Sequence, residues 1–321
     1  MLSVVIPTRN RAGFLKSALQ SLMLQTLPRN SFEVLVIDNG STDDTKQVVA
    51  SAQQQLFNVR YFYDARPGLH IGRHLGMKKA TSDILVYADD DVEAFPTWLE
   101  AIDEGFKISP DVALVGGKIL PKFKAPAPSW MMRMWSENRH RQRVMGYLSL
   151  LDMGNSILQI DPSYVFGCNF SVRKSILEET QGFHPDAMPD GLVRFRGDGE
   201  SYVSRFIGKK GYKTIYHPKA SVFHVLPAER LTEAYICRRS YHQGISDSYS
   251  CLRKGLRPPR YFMGRLMNWL KSPGCRWSIY FDARQYRITN SYRQGFFMHQ
   301  REAYRDKSLY QWIMKEHYHD G

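Results

Sequence analysis

The sequence predicts an α/β fold, a mainly parallel sheet flanked by helices, followed by a helical C-terminal extension. Three observations predict it. Short apolar runs rich in Val and Ile alternate with segments of helical spacing from Ser3 to Asp91. The connections are long enough for helical crossovers, which parallel strands require. Carboxylates stand where strands end, at Asp38 and at Asp89, Asp90 and Asp91, the edge at which ligands bind in open α/β sheets.

The elements follow in order. Ser3–Pro7 reads as the first strand. Ala12–Gln25 has helical spacing, with Phe14, Leu15, Ala18, Leu19 and Leu22 on one face. Phe32–Asp38 is a second strand. Asn39-Gly40-Ser41 is a turn, and Ser41 or Thr42 can cap a helix from Asp43 to about Gln55. Val59–Tyr63 is a third strand, and Gly68 opens a helix that runs to Ala80. Ile84–Ala88 is a short buried strand tipped by the three aspartates. Farther on, Trp98–Ile108 reads as helix, Val112–Gly116 as strand, and Pro121–Trp135 as a loop or lid entering a helix. Val165–Arg173 reads as strand, tight turn and strand. A helix begins at Ser175, and another spans Glu200–Lys210 and stops at Gly211. Thr214–Tyr216 and Ser221–His224 are short strands. Beyond Pro227 the pattern is helical, broken at Pro258-Pro259, with an amphipathic basic segment at Tyr261–Leu270 that suits a membrane surface or a helix packed on the main domain.

The expected organisation is a catalytic domain over 1–226, with a nucleotide half at about 1–118 and an acceptor half at about 119–226, then a basic helical extension over 227–321. Of the 321 residues 43% are hydrophobic and 23% charged, an ordinary composition for a globular protein. No apolar run approaches the roughly 20 residues of a membrane span. Met1–Pro7 lacks a basic, signal-like opening, so the expectation is a cytoplasmic protein, peripheral at the inner face of the plasma membrane if its basic region docks there. Cys168, Cys237, Cys251 and Cys275 fit no zinc spacing and are expected as free thiols. The formal charge is +13, and Val225 to Gly321 holds 17 Lys and Arg against 8 Asp and Glu. Such a region suits an anionic partner, a membrane surface or a phosphorylated acceptor among them. No zinc module, aromatic RNA-binding motif or homeodomain pattern is present, and nucleic acid is not an expected partner.

Three adjacent carboxylates repel one another and call for a compensating cation. If strand alternation continues past Ala88, Asp89 and Asp91 point one way and Asp90 another. Mg2+ or Mn2+, held by one or two carboxylates together with substrate phosphates, is the usual occupant of such a pair.

Several segments carry a family resemblance. Val4–Arg11, Val36–Asp43 and Ala88–Asp91 resemble the opening, the second motif and the D-x-D of family 2 glycosyltransferases, whose Rossmann-like fold is called GT-A. Phe166–Arg173 with Gly182-Phe183, then Gly197–Glu200, Lys210-Gly211-Tyr212 and His217–His224, resemble the family's later segments, so the likeness covers about residues 1–230. It implies inverting transfer of a sugar from a nucleotide-diphosphate donor, UDP foremost, to a glycan or lipid-linked acceptor, with surface polysaccharide or glycolipid synthesis as the setting. Mn2+ or Mg2+ is the implied cofactor, with Asp91 and His224 as ligands. Pro7, Thr8, Arg9, Asp38, Arg73, Asp89 and Asp90 fall on the donor side, and Asn169 and Arg173 on the acceptor side. Asp198 is the implied general base, with Glu200 as the alternative. The sequence departs from the family where Gly197 replaces the usual Glu before the base and Ser201 replaces an apolar residue after Glu200. A nucleotidyltransferase is the competing enzyme class, although Thr8–Arg11 lacks its glycine run. A catalytically inactive sugar-nucleotide binder is the other alternative.

Overall fold

The computed structural model describes residues 1–55, 58–256 and 283–319. The expected Pro258-Pro259 break and the Tyr261–Leu270 segment lie outside them. Two compact units divide the chain: Met1–His184 with Gly199–Leu231 and His317–Gly321, and Pro185–Asp198 with Thr232–Glu316.

The first unit is built on a mixed sheet. Strands β1 (Leu2–Thr8), β2 (Phe32–Asp38), β3 (Val59–Tyr63) and β4 (Ile84–Ala88) are parallel in the order β3-β2-β1-β4. Chain order reverses between β1 and β4, which opens a crevice at their carboxyl ends. Helices α1 (Ala12–Leu22), α2 (Thr45–Gln55) and α3 (Leu69–Lys79) make the crossovers. Every residue of β1 and β2 is buried, as expected of parallel strands covered on both faces.

Beyond β4 the direction changes. Strand β10 (Asn169–Arg173) lies antiparallel between β4 and β6 (Val112–Phe123), and β11 (Lys213–Leu226) runs parallel to β6. Strand β5 (Val92–Ala94) pairs with β11. Three short strands, β7 (Arg143–Met145), β8 (Leu150–Asp152) and β9 (Leu158–Gln159), extend this side. Helices α4 (Trp98–Lys107), α5 (Ser129–Met134), α6 (Lys174–Glu179) and α7 (Glu200–Lys210) complete the unit. Its core joins Val5, Leu35, Tyr87, Leu114, Phe170 and Phe183.

Several expected boundaries move. The two short strands at Thr214–Tyr216 and Ser221–His224 are one strand, β11, with a register shift between His217 and Val222. Strand β6 passes Gly116 and runs to Phe123, because the bulged part of β11 lies directly over Gly117. A Cβ there would sit 1.9 Å from the Ala220 carbonyl oxygen, so only glycine admits this approach. Of the expected Pro121–Trp135 loop entering a helix, the first three residues belong to β6, and the chain then leads into α5 as expected. The expected first strand of Val165–Arg173 is absent, and the chain turns through Pro162–Tyr164 before β10 begins. The helix begins at Thr45, beyond Ser41 and Thr42, and Asp43 accepts from the Thr45 N–H at 3.1 Å.

The second unit pairs two long helices, α8 (Glu233–Arg253) and α9 (Ala283–Arg305), with α10 (Lys307–Ile313) following. Glycines let α8 and α9 cross closely. A Cβ on Gly244 would meet the Tyr292 carbonyl oxygen at 2.2 Å, and one on Gly295 the Tyr241 carbonyl oxygen at 2.1 Å. Thr232 caps α8 and Asp306 caps α10. Among the described residues no helix is long and apolar enough to cross a membrane. Cys168, Cys237 and Cys251 are free thiols.

Candidate active site

The carboxyl ends of β1 and β4 meet in the crevice. Thr8, the last residue of β1, is buried and donates its hydroxyl to Asp90 Oδ2 at 2.8 Å. Asp38 ends β2 in register with Thr8, so it stands two strand spacings, roughly 10 Å, from β4. Both of its oxygens are engaged: Oδ1 accepts from the Ser41 N–H and Oδ2 from the Tyr61 hydroxyl, each at 2.7 Å. A carboxylate offers about four lone-pair sites, so Asp38 keeps room for a further donor. Pro7 is buried within β1, whereas Arg9 is exposed.

The aspartates depart from strand alternation because β4 ends at Ala88 and they form a turn. Asp90 and Asp91 are the buried pair, at 3% and 2% exposure. Arg11 bridges them, with Nη1 2.7 Å from Asp90 Oδ1 and Nη2 2.7 Å from Asp91 Oδ2. The Asp89 side chain is 35% exposed and faces Arg73 at 3.9 Å. Asp90, rather than Asp89, thus shares a cation with Asp91. Burial pushes the Asp90 carboxyl up to about 7 against the pull of Arg11, and the charge on Asp91 adds to the rise. Burial opposes the charge on Asp91 too, yet the guanidinium groups of Arg230 and Arg11 hold it well below the usual carboxylate range.

His224 arrives on β11. Its Nδ1 lies 2.8 Å from the Leu148 carbonyl oxygen, and its Nε2 lies 3.0 Å from Arg230 Nη1 and 3.5 Å from Asp91 Oδ1. A carbonyl only accepts and a guanidinium only donates. The proton therefore sits on Nδ1, and the Nε2 lone pair faces Asp91. A second partner that sets the tautomer in this way is the usual arrangement for a metal-binding histidine. Asp91 Oδ1 is buried and accepts no hydrogen bond. These two atoms fit a divalent cation that completes its shell with phosphate and water. Among the described residues no group of three or more His, Cys, Asp or Glu side chains gathers as a metal site, so the chain itself offers two donors here.

Arg73, on α3, is 3% exposed, and its Nη1 lies 3.1 Å from Glu200 Oε2. Gly167 makes this pair fit. A Cβ there would meet Arg73 Nη2 at 2.5 Å, and its N–H donates to Glu200 Oε1 at 3.2 Å. Gly72 lets α3 approach the strand ends, because a Cβ would meet Asn39 Oδ1 at 2.4 Å. Asp198 belongs to the second unit, is 9% exposed, and accepts from the Ser250 hydroxyl at 2.5 Å. The departure at Gly197 has a local cause. A Cβ there would lie 3.0 Å from the Tyr249 ring and 3.1 Å from the Pro185 carbonyl oxygen.

Of the two expected acceptor-side residues, Asn169 stands opposite Ala88, beside Asp89, whereas Arg173 is carried to the other end of the strand pair. Asn169 is buried. It accepts from the Trp98 indole at 2.9 Å and donates to the Ala220 carbonyl at 3.0 Å, which leaves its amide occupied in tying the sheet together. Arg173 stands at the far end of β10, opposite Ile84, and donates to the Val112 carbonyl at 2.7 Å. Two residues joined to the aspartates were not anticipated. Arg11 lay inside the first motif without an assigned role. Arg230 sits six positions after His224, in a stretch with no recognisable spacing.

The family model for glycosyl transferase family 2 matches residues 3–180. Glycosyltransferase AglE of Haloferax volcanii is 33% identical over 99 residues, 30% of this chain and 33% of AglE. The glucosyl-dolichyl phosphate glucuronosyltransferase of the same organism is 22% identical over 248 residues, 76% of this chain and 75% of that protein. The GalNAc(5)-diNAcBac-PP-undecaprenol beta-1,3-glucosyltransferase of Campylobacter jejuni is 32% identical over 111 residues, 33% of this chain and 35% of that protein. The chain thus spans about a third of the AglE and Campylobacter proteins in these matches. Mannosyltransferase PcManGT from Pyrobaculum calidifontis, solved with GDP-Man and Mn2+, superposes with a TM-score of 0.56 at 18% identity over 98% of this chain and 83% of its own. Residues 1–349 of S. aureus TarS, solved with UDP-GlcNAc, give 0.52 at 14% identity over 98% and 88%. Those two likenesses establish a shared GT-A-like fold. With the family model covering more than half of its length, this chain belongs to glycosyl transferase family 2.

Proposed function

We propose that this enzyme transfers a sugar, with inversion, from a nucleotide-diphosphate donor to a glycan or lipid-linked acceptor and uses a divalent cation, Mn2+ or Mg2+. The observation that carries the reading is the buried Asp91 carboxylate facing the lone pair of His224 at the crevice between β1 and β4. Asp91 and His224 would hold the cation. When bound, it supplies positive charge to the departing diphosphate. Asp38, with lone pairs to spare, would take a base N–H, and UDP is the donor nucleotide we put first. Arg73, held in place by Glu200, would face the donor side.

Inversion needs a single displacement. The acceptor hydroxyl oxygen forms a bond to the anomeric carbon while the bond to the diphosphate oxygen breaks, and the leaving nucleoside diphosphate takes the electron pair. Asp198 would receive the hydroxyl proton. Glu200 is the alternative base; its two oxygens accept from Arg73 and the Gly167 N–H. Two relatives carry names that specify dolichyl and undecaprenol lipids. They support a lipid-linked acceptor, and surface glycan or glycolipid synthesis at the inner face of the plasma membrane is the setting we propose.

The test incubates the protein with UDP- and GDP-sugars and Mn2+, reading released nucleoside diphosphate and the affinity for nucleotide. The expected result is Mn2+-dependent nucleotide binding that Asp91→Ala abolishes. Equal nucleotide affinity with and without metal in both proteins would reject the cation role, and release of pyrophosphate would point to nucleotidyl transfer.

A further inference from the structure

Arg230 contacts both groups assigned to the cation. Its Nη2 lies 2.8 Å from Asp91 Oδ2, and its Nη1 donates to His224 Nε2 at 3.0 Å. A neutral imidazole has one lone pair on Nε2. That lone pair serves the guanidinium or a metal ion, never both. Binding of a divalent cation by His224 therefore requires Arg230 to leave. Arg230 can do so, since it sits in the single turn Ala228–Leu231 just after β11 and its side chain is 20% exposed. Asp91 does not depend on it alone, because Arg11 approaches Oδ2 independently at 2.7 Å. A displaced guanidinium stays tethered beside the site. The donor's diphosphate matches its planar fork, which favours bidentate contact with phosphate.

We propose that Arg230 is an exchangeable ligand of this site: without donor it closes the Asp91–His224 pair, and when cation and nucleoside diphosphate enter it moves to the diphosphate. The inference rests on the cation reading above and adds an order to it. Nucleotide removes the internal competitor, so cation and nucleotide favour each other's binding by the same factor. The exchange also keeps the carboxylate pair neutralised in both states. A metal ion arriving without a nucleotide finds the site closed.

The test measures Mn2+ binding by the spectroscopic signal of free Mn2+, together with UDP and GDP affinity at saturating Mn2+, in the full chain. Arg230→Met removes the charge and Arg230→Lys keeps it without the fork. The expected result is Mn2+ binding about tenfold tighter in nucleotide-free Arg230→Met than in the unmodified protein, within the range of ordinary site coupling. UDP or GDP affinity should fall in the same variant, and Arg230→Lys should lie between. Should Arg230→Met misfold, a Lys variant with unmodified Mn2+ and nucleotide affinities overturns the proposal. Equal Mn2+ affinity in the unmodified protein and in folded Arg230→Met overturns the exchange while leaving the cation site intact. Absence of Mn2+ binding in all three proteins, with nucleotide binding indifferent to metal, overturns the cation reading itself.

Discussion

Glu200→Gln separates a positioning role from a catalytic one. Arg73 is 3% exposed and Glu200 is 23% exposed, with the charged atoms 3.1 Å apart. At an effective dielectric of about 20 the Coulomb attraction over that distance is about 5 kcal/mol. Desolvation of the guanidinium offsets much of this, and breaking a fully buried pair by removing one partner costs about 3–5 kcal/mol. Glu200 is partly hydrated, which screens the pair and lowers the expected cost to about 2 kcal/mol. The variant leaves Arg73 buried, with Asp89 3.9 Å away. Urea unfolding of the unmodified protein, Glu200→Gln, Arg73→Met and the double variant should give a coupling of about 1–2 kcal/mol at unchanged m-value. The double variant, with no buried guanidinium left without Glu200, should recover part of the loss. Coupling below about 0.3 kcal/mol would refute the pairing argument. A Glu200→Gln protein of unmodified stability but without turnover would transfer the base role from Asp198 to Glu200.

Three further outcomes are expected. Asp198→Asn should keep nucleotide affinity while turnover falls by about 100-fold or more, the usual contribution of a general base, measured as nucleoside diphosphate release with acceptor present. His74 accepts from the Phe183 N–H at 2.8 Å, and burial, with His70 and His319 adding, holds it down at about 3. The unfolded chain takes up this proton near pH 6.5 and the folded chain does not. Stability should therefore fall as pH drops from about 6.5 toward 3, by at most about 1.4 kcal/mol per pH unit from this group, and the urea midpoint of His74→Gln should show a shallower slope. Gly76→Ala places a Cβ 2.2 Å from Val5 Cγ1 in the core. It should cost about 1–3 kcal/mol, and adding Val5→Ala should return part of it on the same unfolding assay.

Local pattern was enough for the nucleotide half. Strands β2, β3 and β4 begin and end where the apolar runs begin and end, and α7 stops at Gly211, which adopts a positive φ of 77°. These elements are legible because buried parallel strands need continuous apolar runs and because glycine tolerates that backbone at no steric cost. The placement of Asp38 and Asp89–Asp91 beyond strand ends followed from the same pattern, since a carboxylate cannot sit inside such a run without a partner.

What each acid touches was decided only by the assembled fold. Arg11 reaches Asp90 and Asp91 across about 80 positions, Arg73 reaches Glu200 across 127, and Arg230 and His224 come to Asp91 on a strand far along the chain. No periodicity encodes such pairings, because they depend on which strands lie side by side. The same holds for Asn169 and Arg173, whose polar groups sheet packing consumed. Sequence alone located the carboxylates at the mouth of the sheet, for local steric and solvation reasons. Tertiary structure chose their cations, because an ion pair is set by distance in space, to which chain separation gives no guide.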